Sequence, residues 1–228
     1  MRDAESKDSS TTGESSLCVS ASARSKRVST ICLDFENQAV GEGFRFIAGV
    51  DEVGRGCLAG SVVAAACILD LSKPLPPFLN DSKKLSAKRR EKLDEEIRQT
   101  AVAYAIAEVE AEEIDRINIL QATKKAMRLA IEKLNPAADY LLLDAVELKD
   151  VPIPQKAIIG GDAVSASIAA ASILAKTYRD RLMRELDAIY PEYGFAKHVG
   201  YGTKAHFEAL RKYGACPIHR RSFRGVCD

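Results

Sequence analysis

The chain has 228 residues, with 33 Lys and Arg against 32 Asp and Glu, so its net charge of +1 excludes a globally basic polyanion binder and leaves only local surfaces for one. No run of about 18 apolar residues offers a membrane span and the amino terminus lacks a charged-then-apolar secretory pattern, so a cytoplasmic protein with no membrane partner is expected. Six cysteines without C-x-x-C spacing point to reduced thiols and away from a disulfide framework or a zinc site.

This length suits one sizeable core plus a tail. Met1 to Thr30 carries nine serines and no apolar period, and residues 1–43 are expected to form a disordered tail ahead of one folded domain over 44–228. Ile47-Ala48-Gly49-Val50 is a short apolar run that reads as a buried strand ending in two adjacent carboxylates, Asp51 and Glu52. Gly54-Arg55-Gly56 follows at once, and glycines let backbone N–H groups approach a ligand that a Cβ would hold off. The same residues fit a dinucleotide fingerprint. Two preceding carboxylates would repel a pyrophosphate, however, and the β-branched stretch after Gly60 reads as a second strand rather than a crossover helix.

A Pro-rich loop over 73–78 leads to Ser86, a candidate N-cap for a helix running to Arg98. Lys83, Lys84, Lys88, Arg89 and Arg90 cluster at its start, where cations are unfavourable, and an anion nearby or downstream acids would explain them. Residues 101–109 read as a third strand, and 111–134 as one long or two consecutive amphipathic helices ended by Asn135-Pro136. Tyr140-Leu141-Leu142-Leu143 is a fourth strand ending, like the first, in a carboxylate, Asp144. A short fifth strand over 156–159 precedes Gly160-Gly161-Asp162 and a helix whose first half is nearly all Ala and Ser, small enough for close approach to a sheet. Asp162 sits where a cap for that helix belongs. From Lys197 onward, seven Lys and Arg face two acids, with histidines and Tyr201, Phe207, Tyr213 and Phe223 interleaved. That mixture suits a phosphate backbone and a sugar or base to stack on.

If the first and fourth strands are neighbours, their ends gather Asp51, Glu52, Asp144 and Asp162. Two unit charges ~4 Å apart repel by ~4 kcal/mol at an effective dielectric of ~20, so such a group must protonate, find arginines or bind cations. With oxygen ligands alone, the cation should be hard, Mg²⁺ or Mn²⁺. Two such ions suit hydrolysis of a phosphodiester.

Six blocks then carry a resemblance: GVDEVGRGCLAG from Gly49, DSKKLS from Asp81, LLLDA from Leu141, GGDAVSASIAAASILAKTYRD from Gly160, GYGTKAH from Gly200 and PIHRRSF from Pro217. In kind and order they resemble ribonuclease HII, over roughly Ile47 to Arg224. The resemblance implies an α/β, ribonuclease H-like fold with a mixed central sheet of about five strands, the first three antiparallel, flanked by helices. Residues 44–228 would form the catalytic domain, its basic C-terminal helical part closing over one edge. The implied activity is endoribonuclease cleavage of the RNA strand of RNA–DNA hybrids, and incision 5′ of single ribonucleotides in duplex DNA, by a monomer using two metal ions. By the same resemblance Asp51, Glu52, Asp144 and Asp162 are metal-binding and catalytic. Gly54, Arg55 and Gly56 contact the ribose 2′-hydroxyl, Tyr201 stacks on the following sugar, and Lys83, within a matching block, joins the substrate-binding set. The pattern departs at Cys57, where Pro is usual, and at Ala145, where Gly is frequent. Ribonuclease HIII is the nearest alternative, but it typically carries Lys at the place of Arg55.

Overall fold

The computed structural model describes residues 31–77 and 79–227. Residues 1–30, the greater part of the expected tail, lie outside the described residues. Within the described residues five strands form one mixed sheet in the order β3-β2-β1-β4-β5. They are β1 (Ile47–Val53), β2 (Val62–Ile68), β3 (Ala103–Val109), β4 (Tyr140–Asp144) and β5 (Gln155–Ile158). The first three run antiparallel, as expected, whereas β4 is parallel to β1 and to β5. A strand, not a crossover helix, follows Gly60, and this removes the dinucleotide reading.

Among the described residues seven α-helices surround the sheet: α1 (Asp34–Gly41), α2 (Ala87–Thr100), α3 (Ala111–Ile117), α4 (Ile119–Glu132), α5 (Ala166–Ile189), α6 (Phe195–His198) and α7 (Lys204–Tyr213). The side-chain period of two divides each strand between two cores. Ala48, Val50, Leu141 and Leu143 join Ala122, Ala126 and Met127 of α4 on one face. Val63, Ala65 and Cys67 join Ala170, Ile173 and Leu174 of α5 on the other. The small residues of α5 allow its close approach. A Cβ added to Gly49 of β1 would run into the Ser167 backbone of α5.

Two expectations need correction and one open alternative is decided. Residues 34–41, assigned to the tail, form α1, because Glu36 is buried and accepts hydrogen bonds from Ser165 Oγ (2.7 Å) and the Ser167 N–H (2.8 Å). Of the one or two helices expected from Ala111, two are found: the stretch breaks at Asn118, whose φ of 66° ends α3 while its side chain caps α4 by accepting from the Gln121 N–H. The basic C-terminal part does not close a sheet edge. It packs around Leu58, Ala59, Met183 and Phe195, against the β1–β2 connection and the distal half of α5.

Candidate active site

Strand parity explains which acids meet. The parallel register pairs Val50 with Leu143, so the next residues along, Asp51 and Asp144, stand side by side at the same end of the sheet. Both share the face of Gly49 and Leu142, toward α5. Asp162 arrives from the 3₁₀ turn Gly161–Ala163 between β5 and α5. One carboxylate oxygen from each of Asp51, Asp144 and Asp162 lies within 4.8 Å of the others, a set that can hold a metal ion. Asp51 and Glu52 lie inside β1 rather than beyond its end, so Glu52 leans to the opposite face. It stands at the rim of the group, where Arg55 Nη1 reaches its Oε1 at 3.3 Å.

Asp162 does not cap α5. Ser165 does, accepting from the Ile168 N–H at 3.3 Å. The Asp162 carboxylate is instead paired with Lys83 Nζ at 3.0 Å. The anion expected near the Lys83–Arg90 cluster is therefore Asp162, and for Arg90 it is Asp180.

The electrostatics are those of an acid cluster short of cations. Burial, then the charges of Glu52 and Asp144, push the Asp51 carboxyl well above its ordinary value. Burial raises Asp144 too, partly opposed by the Gly161 N–H that donates to its Oδ1 at 2.8 Å. Glu52 is raised by burial against the lowering effect of Arg55, and its Oε2 is buried with no hydrogen-bond partner. An unpartnered carboxylate oxygen, three crowded acids and a lysine ammonium standing where positive charge is wanted all fit a hard divalent cation. Ala145, just past Asp144, has φ 54°, which explains why glycine suits that position.

Two buried arginines that sequence reasoning missed shape the adjoining loop. Arg179 of α5 donates to the carbonyls of Ser61 (3.0 Å), Val199 (2.8 Å) and Ala59 (3.1 Å). Arg220 donates to Arg55 O at 2.9 Å and twice to Gly60 O, at 3.0 and 2.8 Å. Arg220 belongs to the basic segment expected to face a polyanion, yet it is fully buried. Together the two guanidiniums tie the Gly54–Gly60 loop to the segment holding Tyr201. Gly54 has φ 91° and packs on Arg179, where a Cβ would collide with the guanidinium. Gly56 is different: it is exposed, and a Cβ there would meet no protein atom within 4 Å. The Tyr201 side of the loop is joined by a Cys57–Tyr201 bridge, and Cys57 is a free, buried thiol whose Sγ lies 3.5 Å from Val199 O. Arg179→Met should lower the unfolding free energy by about 3 kcal/mol or more, since three buried carbonyls lose a donor at ~1–3 kcal/mol each. A urea melt measures this, and a loss below about 1 kcal/mol would show that the loop does not depend on the clamp.

A mixed sheet in this order, with carboxylates from two adjacent strands and the following turn converging at one end, defines a ribonuclease H-like nuclease. The ribonuclease HII family model matches residues 48–226. The ribonuclease HII of Desulfitobacterium hafniense is 59% identical over 191 residues, 84% of this chain and 73% of the relative. That of Ruminiclostridium cellulolyticum is 56% identical over 191 residues, 84% and 74%. Among solved structures, the ribonuclease H2 of Pyrococcus horikoshii superposes with a TM-score of 0.68 at 26% identity, covering 80% of this chain and 95% of the other. The chain belongs to the ribonuclease HII family. It is accordingly a hydrolase, an endoribonuclease acting on the RNA of RNA–DNA hybrids, in a family whose activity depends on metal. No helix of the described residues is long and apolar enough to cross a membrane.

Proposed function

We propose that this enzyme, besides cutting the RNA strand of hybrids, incises duplex DNA on the 5′ side of a single embedded ribonucleotide, working as a cytoplasmic monomer with two ions of Mg²⁺ or Mn²⁺. The observation that carries the reading is the convergence of Asp51, Asp144 and Asp162 within 4.8 Å, with the orphaned Glu52 oxygen at their rim. When bound there, the ions supply positive charge to the scissile phosphate and an activated water. The chain's own residues do the rest. Asp51, Glu52, Asp144 and Asp162 are the metal-holding acids, all from one chain, which is why no second copy is needed. The Lys83 side chain is largely exposed while its ammonium reaches Asp162, so it stands ready to meet a phosphate oxygen beside the acids.

Selection for RNA falls to the loop after β1. A 2′-hydroxyl is the group that separates ribose from deoxyribose. Backbone groups at Gly54, Arg55 and Gly56 can approach it closely because Gly56 keeps the space in front of it clear. Two clamped carbonyls, those of Arg55 and Gly60, hold the loop still for that reading. Tyr201, with an exposed ring across the Cys57 bridge, is the residue to pack on the neighbouring sugar.

The test is incubation with duplex DNA carrying one ribonucleotide, with a hybrid and an all-DNA duplex alongside, in Mg²⁺, Mn²⁺ or EDTA. Incision 5′ of the ribonucleotide, leaving 3′-hydroxyl and 5′-phosphate ends and abolished by EDTA, is expected. Cleavage of the all-DNA duplex, or cleavage that survives EDTA, would contradict the mechanism. Hybrid cleavage without incision at the single ribonucleotide would remove the finer substrate assignment.

A further inference from the structure

The chain has three histidines, and the fold brings all three together. His198 ends α6, His206 lies in the first turn of α7, and His219 follows α7 in the C-terminal loop. The His198 and His206 rings stack with centroids 4.5 Å apart, and the His206 and His219 rings meet edge to edge with Nε2 atoms 2.9 Å apart. His206 and His219 are buried.

The partners assign every ring proton. His219 Nδ1 accepts from the Cys216 N–H at 3.0 Å, so its proton is on Nε2 and points at His206. His206 Nε2 must therefore accept, which leaves its own proton on Nδ1, donated to the Tyr201 carbonyl at 2.9 Å. His198 is assigned in the same way: Nδ1 accepts from the Gly200 N–H at 3.3 Å and Nε2 donates to Tyr193 O at 2.9 Å. Each lone pair is already used, so the cluster is not a metal site. Protonating His206 on Nε2 would set two N–H groups against each other at 2.9 Å, and protonating His219 on Nδ1 would set one against the Cys216 N–H at 3.0 Å. Burial lowers the affinity of both rings for a second proton, taking His219 to about 4.

The chain of bonds ends at a place that needs support. Val199 and Gly200, directly before Tyr201, have φ of 43° and 85°. A β-branched residue in the left-handed region is strained, and such a conformation persists only where its surroundings hold it. The Tyr201 N–H donates to His198 O at 2.9 Å, and Gly200 O accepts from the Leu58 N–H at 2.8 Å. His206 fixes the carbonyl of Tyr201 itself. The exposed ring of Tyr201 is thus carried on a backbone held from below by neutral imidazoles.

We infer that His206 and His219 are positioning residues, a single-tautomer brace from the Cys216 amide to the Tyr201 carbonyl that sets the tyrosine for the substrate sugar. This rests on the role given to Tyr201 above. It assigns to two buried histidines a part in substrate binding that they play without touching substrate.

A double-mutant cycle tests it, with steady-state kinetics on duplex DNA carrying one ribonucleotide. Tyr201→Ala should raise KM roughly tenfold, a loss of about one stacking contact. His206→Ala should raise KM severalfold alone and add little to Tyr201→Ala, because the brace acts through the tyrosine. His206→Asn, whose side-chain amide can occupy the place of Nδ1–H, should recover most of the loss. Ring ¹⁵N spectra of the wild-type protein should show His206 protonated on Nδ1 and His219 on Nε2. Effects of the two substitutions that multiply in the double variant, or the opposite tautomers, would overturn the brace. If Tyr201→Ala leaves KM unchanged, the reading of the tyrosine fails and the brace falls with it. If His206→Ala does not fold, the ring spectra and the His206→Asn kinetics decide.

Discussion

Asp51→Asn should reduce turnover by about a thousandfold or more while leaving the metal-free protein at least as stable as the wild type. Asp51 is buried beside Asp144 and Asp162 with no ion pair of its own among the described residues, and its carboxylate accepts from the Glu52 N–H at 2.7 Å and from the Ser172 hydroxyl. In EDTA its charge is therefore a cost, and an isosteric amide removes the repulsion for a gain on the order of 1 kcal/mol after solvent screening. The sign follows from proton binding. The folded-state affinity of Asp51 is raised, so the native chain holds more protons than the unfolded one, and wild-type stability falls as pH rises above the ordinary carboxylate value of 3.8. The variant lacks that slope, so the gap between the two should widen with pH through this window. Single-turnover cleavage and denaturant melts in EDTA check the two halves separately. A variant that is inactive and also clearly less stable would mean that Asp51 is a structural acid, and a variant that still turns over would remove it from the catalytic set.

Why this acid was legible in the sequence and others were not has a physical reason. An apolar run that stops at a carboxylate marks a strand whose inward row carries charge toward its end, and two such strands, at Ile47 and Tyr140, place Asp51 and Asp144 together once they pair in parallel. Local chemistry also gave the start of α2, where Ser86 accepts from the Arg89 N–H at 3.4 Å. What stayed hidden depends on contacts far apart in the chain. Glu36 looks like a tail residue until Ser165 and Ser167 come to meet it, 129 and 131 positions away. Asp162 reads as a cap because its site before α5 suits one, and only tertiary placement turns it toward Lys83. Arg179 and Arg220 look like solvent or phosphate-facing cations, since nothing in their neighbours shows that backbone carbonyls will surround them. The histidines read only as part of a basic, aromatic segment, although burial makes His206 and His219 structural rather than charged.

The sharpest separation of fold from function should come from one substitution made at two glycines seven residues apart. Gly49→Ala puts a methyl group into the Ser167 backbone, at the contact where β1 and α5 lie closest. Neither partner is a flexible side-chain end, so relief requires α5 to move off the sheet. The cost should reach or pass the upper end of the ~1–3 kcal/mol usual for overpacking, which for a domain of this size lowers Tm by roughly 6–12 °C. Because α5 directly follows the turn holding Asp162, the surviving folded fraction should also cleave poorly. Gly56→Ala adds the same methyl where no protein atom lies within 4 Å, on an exposed residue whose backbone is not left-handed. Stability should stay within about 0.5 kcal/mol of wild type, while KM on a single-ribonucleotide duplex rises roughly tenfold or more because the methyl stands where the sugar must approach. Melting curves and kinetics on the two purified variants read both effects. Normal KM in Gly56→Ala would mean that the open space before the loop is not where ribose is read, and an undisturbed melting point in Gly49→Ala would mean that the sheet and α5 are not seated as closely as their backbones indicate.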